Sequence, residues 1–331
     1  MQRGKAALWT TLGLAAATVG VAVVAPEAML AAEFARQRLL AGATRYAIDV
    51  AGHRWRYLDA GRPRRGRGGL RHGRPQAVRH KPVVVLVHGF TGSKENWLPV
   101  IRELREDFRL IAPDLPGWGE SERQPGSDYG VEAQVERLAA FLAALPAITG
   151  RDGPADLLVG HSMGGQIAGL LAARHPDLVP RLALMSSAGV EFDINAFAVA
   201  IQAGENPFGV SDTDQLQRYL GMVFRQPPAV PWPFSEALVQ RRREDAAFEQ
   251  RVLDDIGRGP AAFALQREMG GIRAPTLLVW GDEDVVIDPS AMAVFQAGLR
   301  DVRSTLLNGC GHMPMMERTR ETATAIRDFL Q

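Results

Sequence analysis

Six short apolar runs punctuate this chain, and most are followed by a stretch with helical spacing. The runs are Val83–Val87, Leu110–Ala112, Leu157–Val159, Leu182–Met185, Thr276–Trp280 and Ser304–Leu307. They are rich in Val and Leu and do not alternate with polar residues, the pattern of strands covered on both faces. Helical spacing lies between or after them near residues 97–106, 131–145, 165–174, 289–299 and 317–330. Such alternation predicts an α/β fold, a doubly wound sheet of mostly parallel strands. One interval breaks the rhythm. About 80 residues from Val190 to Gly271 carry helical patches and the proline cluster Pro227–Phe234. We read them as an inserted helical cap over 191–271, which leaves a core of 43–190 and 272–331.

Composition removes several classes of function. Apolar residues are 46% and charged residues 23% of the 331, as in a folded globular chain. The single cysteine, Cys310, excludes an intramolecular disulfide framework and a cysteine-based zinc site. No metal or cofactor motif is read. Net charge is +1, so no global field points to nucleic acid. Two segments stand apart. Residues 6–25 hold no charged side chain, follow Arg3 and Lys5, and are long enough to span a bilayer. Pro26 after the best small-residue cleavage site favours an uncleaved anchor over a signal peptide. We therefore expect 1–30 to be a membrane anchor or signal segment with the remainder extracytoplasmic. The stretch 61–81 carries eight Arg or Lys and no acid. It reads as a solvated basic loop or a contact with anionic lipid, and it lacks aromatics to stack on bases.

The chemistry sits where Leu157–Val159 runs into Gly160-His161-Ser162-Met163-Gly164-Gly165, ahead of a helical pattern. A serine on such a strand-to-helix turn is pushed out above the sheet, at a helix N-terminus that favours developing negative charge. It needs a base. Of seven histidines, His312 follows the last strand on the glycine-flexible loop 308–312, at the sheet end where open α/β sheets meet ligands. By alternation, His161 is expected to point away from the site that Ser162 faces. The acid that orients His312 comes from the loop after Trp280; Asp284 is favoured, with Asp282, Glu283 and Asp288 as competitors. The oxyanion donors are the N–H groups of Met163 and Phe90, the latter in His88-Gly89-Phe90-Thr91-Gly92. Asp114, in 114–121, is read as part of a structural turn.

These segments, HGF (88–90), DLPGWGES (114–121), GHSMGG (160–165), WGDED (280–284) and GCGHMPMMER (309–318), resemble the α/β-hydrolase superfamily. Within it they resemble membrane-anchored monoacylglycerol lipases of the abhydrolase-6 type and related bacterial lipases, over about residues 43–331. The resemblance implies that Ser162, Asp284 and His312 form a catalytic triad, with Phe90 and Met163 as the oxyanion hole. Two departures are the long insertion at 62–80 and Thr319, where many members carry proline. The expected activity is serine-dependent hydrolysis of carboxylic esters, of monoacylglycerol or similar single-chain lipids, with the membrane as the only other partner. Large apolar cap residues, among them Phe192, Phe197, Ile201 and Phe208, either line an acyl channel or pack the cap. The rivals are a C–C bond hydrolase of ring-cleavage products and a non-catalytic binding protein on the same scaffold.

Overall fold

The computed structural model describes residues 25–62 and 81–331. Its strands are β1 (Ala43–Val50), β2 (His53–Ala60), β3 (Val83–Val87), β4 (Arg109–Pro113), β5 (Leu157–His161), β6 (Leu182–Met185), β7 (Thr276–Gly281) and β8 (Val302–Leu307). They form one sheet in the order β1-β2-β4-β3-β5-β6-β7-β8. From β4 to β8 neighbouring strands run parallel, while β2 pairs antiparallel with both β1 and β4. The expected parallel sheet is thus present, with an antiparallel hairpin on one edge. That hairpin turns on Ala51 and Gly52, at φ 50° and 75°. Two positive values suit the right-handed twist of a two-residue connection.

Every residue of β3 to β7 is buried, as their unbroken Val and Leu runs require. β8 departs from the expectation. It pairs only with β7, only Leu307 is buried, and Leu306 is 51% exposed. An edge strand has no second neighbour to cover it.

The longer helices are α1 (Pro26–Ala41), α2 (Leu98–Leu104), α3 (Val131–Ala143), α4 (Met163–Arg174), α5 (Ala196–Gln202), α6 (Thr213–Val223), α7 (Phe234–Arg258), α8 (Ala291–Gly298) and α9 (Thr319–Leu330). α3 packs on α4, and α2 packs on α1 and α9. Trp55 of β2 stacks on Phe141 of α3 at 4.7 Å between ring centroids, tying the hairpin to the core.

Between β6 and β7 the chain is helical throughout its ordered elements. Asn195 and Asp212 start α5 and α6 by accepting the N–H groups of Ala198 and Gln215. α7 is the cap's longest element, 25 residues or about 37 Å at the usual rise. Among them it buries Val239, Phe248, Val252 and Leu253.

α1 begins at Pro26, so the expected boundary at residue 30 falls inside a packed helix. Leu30 is buried, Glu27 pairs with Arg241 of α7 at 2.6 Å, and Arg38 pairs with Glu95 at 3.6 Å. The apolar stretch 6–25 lies outside the described residues except for Ala25. Among the described residues no helix is long and apolar enough to cross a membrane. Of the basic stretch 61–81, residues 63–80 also lie outside them. Its ends are fixed to the core. Arg62 pairs with Asp59 at 2.6 Å, and Lys81 donates to the Arg105 carbonyl at 2.6 Å.

Candidate active site

Ser162 sits between β5 and α4 with φ 53° and ψ −121°, a conformation non-glycine residues rarely adopt. Such strain costs about 1–3 kcal/mol and persists only where the surroundings over-determine it. Here they do. The Ser162 N–H donates to the Met185 carbonyl of β6 at 3.0 Å, and its own carbonyl accepts from Ala188 at 3.1 Å. The flanking glycines let the backbone close in. A Cβ on Gly160 would lie 2.3 Å from the Gly164 carbonyl oxygen, and one on Gly164 would lie 2.3 Å from that of His88.

His312 and Asp284 meet as the chain order suggests. His312 Nδ1 lies 2.9 and 3.1 Å from the two carboxylate oxygens of Asp284, and both residues are buried. Asp284 Oδ1 also accepts the N–H groups of Val286 and Ile287 at 2.9 and 3.0 Å. Those bonds fix the carboxylate before the histidine reaches it. The competing acids are engaged elsewhere: Asp282 accepts from Cys310, Asp288 from Ser290, and Glu283 pairs with Arg225. With Nδ1 committed to Asp284, Nε2 is left for the cavity that His312 and Ser162 line together.

The loop carrying Phe90 is set by His88. Burial holds the His88 pKa below its ordinary value, so the ring is neutral. Its Nε2 accepts from the Leu115 N–H at 3.0 Å, and Nδ1 donates to the Gly89 carbonyl at 2.8 Å. Among the described residues the N–H groups of Phe90 and Met163 make no hydrogen bond, and both residues border the space around Ser162. Asp114 is the structural residue expected. Buried completely, it accepts the N–H and the ammonium of Lys94, each at 2.7 Å, and the Glu120 N–H at 2.9 Å. Among the described residues no cluster of His, Cys, Asp and Glu has the makings of a metal site.

Two features escaped the sequence. His161 does not point away: its ring lies 4.8 Å from that of His312, and its Nε2–H donates to the His312 carbonyl at 2.7 Å. Strand alternation ends at the positive φ of Ser162, so period two does not carry across the turn. Glu317 is the second. Its carboxylate accepts the N–H groups of Gly311 at 3.0 Å and Arg225 at 2.7 Å, joining the His312 loop to the cap. Its position in the run after His312 was the only signal for it.

An apolar cleft opens from Ser162 beneath the cap. Of the cap residues singled out above, Phe192, Phe197, Ile201 and Phe208 border it. Other large apolar residues of the cap do not: Phe224 is buried away from it, while Ile194 and Trp232 face solvent.

A strained serine above a parallel sheet, a buried histidine–aspartate pair beside it and a helical cap define a class of protein, the hydrolases built on this sheet. The chain belongs to the α/β-hydrolase family, whose fold model matches residues 82–319. It is 30% identical to monoacylglycerol lipase ABHD6 of Homo sapiens over 259 residues, 76% of each chain. It is also 30% identical to lipase 1 of Psychrobacter immobilis over 247 residues, 74% of this chain and 76% of that one. Among solved structures, a bacterial membrane phospholipase A superposes with a TM-score of 0.82 at 34% identity, covering 100% of this chain and 98% of the other.

Proposed function

We propose that this lipase/esterase-type α/β hydrolase cleaves carboxylic esters of single-chain lipids, monoacylglycerol foremost, through an acyl-enzyme on Ser162. The observation that carries the reading is the junction of two features: the buried His312–Asp284 pair beside Ser162 and the long apolar cleft that ends at the same serine. His312 Nε2 takes the Ser162 proton as Oγ attacks the ester carbonyl. The N–H groups of Phe90 and Met163 receive the oxyanion, and Asp284 stabilises the imidazolium. His312 then gives the proton to the alcohol oxygen as the C–O bond breaks. Water, deprotonated by the same histidine, releases the fatty acid and restores Ser162.

The similarity to a monoacylglycerol lipase and to a membrane phospholipase A supports a lipid ester as substrate and a membrane as its source. Residues 6–25 are the segment that would hold the enzyme there. The test is a set of initial rates on monoacylglycerol, triacylglycerol and p-nitrophenyl butyrate. Monoacylglycerol should be turned over faster than triacylglycerol, and Ser162→Ala should lose about 10⁴-fold or more on every ester. Asp284→Asn should be severely impaired and Asp288→Asn active. A Ser162→Ala enzyme keeping more than about a tenth of wild-type turnover would remove the nucleophile assignment.

A further inference from the structure

Two cavities meet at Ser162. Phe90 and Phe208, with ring centroids 5.2 Å apart, border both and separate them. The larger is the apolar cleft, walled by Met163, Phe197 and Leu253 among others. The smaller is bordered by His312, Tyr219, Asn96 and Val223. The two halves of an ester must divide between them. His312 delivers a proton to the leaving oxygen, so the alcohol has to depart on the side His312 occupies. The acyl chain then extends into the compartment that lacks His312.

We infer that the smaller compartment is the leaving-alcohol site and that Tyr219 makes it selective for alcohols carrying a further hydroxyl group. The inference rests on the ester-hydrolase reading above and names the half of the substrate that reading leaves open. Most polar side chains around the compartment are already committed. Asn96 Oδ1 accepts the Ser93 N–H at 2.7 Å, and its Nδ2 lies 3.7 Å from the Met316 sulfur. His161 Nε2 is bound to the His312 carbonyl. Tyr219 differs. Its hydroxyl touches Thr91 Oγ1 at 3.1 Å, and a phenol that makes one hydrogen bond retains capacity for more. The ring is held before any substrate arrives. The Arg242 guanidinium lies 4.9 Å from its centroid, and Arg242 is itself fixed by Glu249 at 2.9 Å and the Phe208 carbonyl at 2.6 Å. A glycerol hydroxyl next to the scissile oxygen can use the capacity that Tyr219 keeps beyond its bond to Thr91, and a plain alkyl ester cannot.

The contact with Thr91 gives Tyr219 a second way to act. Thr91 has φ 55° one residue after Phe90, so the cap tyrosine also braces the loop that carries an oxyanion donor. Bracing would affect every ester alike; alcohol selection changes a ratio. The measurement is therefore kcat/KM of the full-length enzyme in mixed micelles for a 1-monoacylglycerol and for the propyl ester of the same fatty acid. These share a carbon skeleton and differ only in hydroxyl groups. Wild type should prefer the glyceryl ester by about tenfold, the effect of one net hydrogen bond made to the hydroxyl and missing from the propyl ester. Tyr219→Phe, which keeps the ring, should bring the ratio close to one, and Thr91→Ser, which keeps the hydroxyl partner, should preserve it. A wild-type ratio near one overturns the inference without any variant, leaving ester hydrolysis intact. So does a Tyr219→Phe enzyme in which both esters slow equally. Failure of wild type to cleave either ester would instead remove the function on which the inference rests.

Discussion

At His161 a ring that takes no part in bond breaking holds the carbonyl of the residue that does. His161 donates from Nε2 to the His312 carbonyl at 2.7 Å and lies 4.8 Å from that second imidazole, where a positive charge would be unfavourable. Burial pushes its pKa well below the ordinary value of 6.5, and the neighbouring His312 lowers it further. The linkage has a definite sign. In the unfolded chain His161 takes up a proton as pH falls through about 6.5, and in the folded chain it does not. Its contribution to stability is complete above that pH and is lost as pH falls below it. His88, lowered by the same burial, acts in the same direction. Thermal unfolding should therefore show a midpoint that drops between pH 7.5 and 5.5. His161→Gln, whose amide keeps a donor but does not titrate, should show a smaller drop. Equal drops in the two proteins would contradict the account.

In the turn between β5 and α4 a single added methyl group should be costly. Gly164→Ala places a Cβ 2.3 Å from the His88 carbonyl oxygen and 2.7 Å from that of Val87, and neither backbone atom can swing aside. The substitution should cost about 2–4 kcal/mol, measured as a lower urea midpoint, together with loss of activity. An unchanged midpoint would mean that the turn is looser than the geometry requires. This is also the scale at which the sequence was most legible. Runs such as Val83–Val87 and Leu182–Met185 coincide with β3 and β6 because a strand covered on both faces has no polar residue to blur its ends. Legibility failed where burial is one-sided. β8 was read as a covered strand, since a few apolar residues look alike on an edge and in a centre. α7 escaped as a single element because a charged stretch from Arg241 to Asp245 interrupts the apolar residues it buries. The turn serine, histidine and aspartate were legible because their spacing follows strand ends. The pairing of His161 with His312 was not, because it depends on a backbone angle.

The described residues Glu27, Arg62 and Lys81 are anchored at different places on the fold. α1 starts beside Arg241 of the cap and ends at β1. Arg62 and Lys81 lie at the end of β2 and just before β3, at the sheet end opposite Ser162. The chain therefore enters at Pro26 and crosses between Arg62 and Lys81 at different places on the fold. A chain beginning at residue 25 should be soluble, folded and active on a dispersed short-chain ester. One beginning at residue 42 should be destabilised, because it loses buried Leu30 and the pairs of Glu27 and Arg38 with the cap and the segment after the Phe90 loop. The full-length protein should pellet with membranes and resist high salt, as expected where about 20 apolar residues do the holding. Release by salt would transfer that role to the basic stretch. The central claim, an ester-hydrolysing acyl-enzyme on Ser162, is tested most directly by reacting the enzyme with a long-chain fluorophosphonate and locating the adduct by peptide mass spectrometry. The account predicts one adduct per chain, on Ser162, appearing in step with loss of hydrolysis and absent from Ser162→Ala. A stoichiometric adduct on another residue, or hydrolysis that continues after Ser162 is blocked, would contradict it.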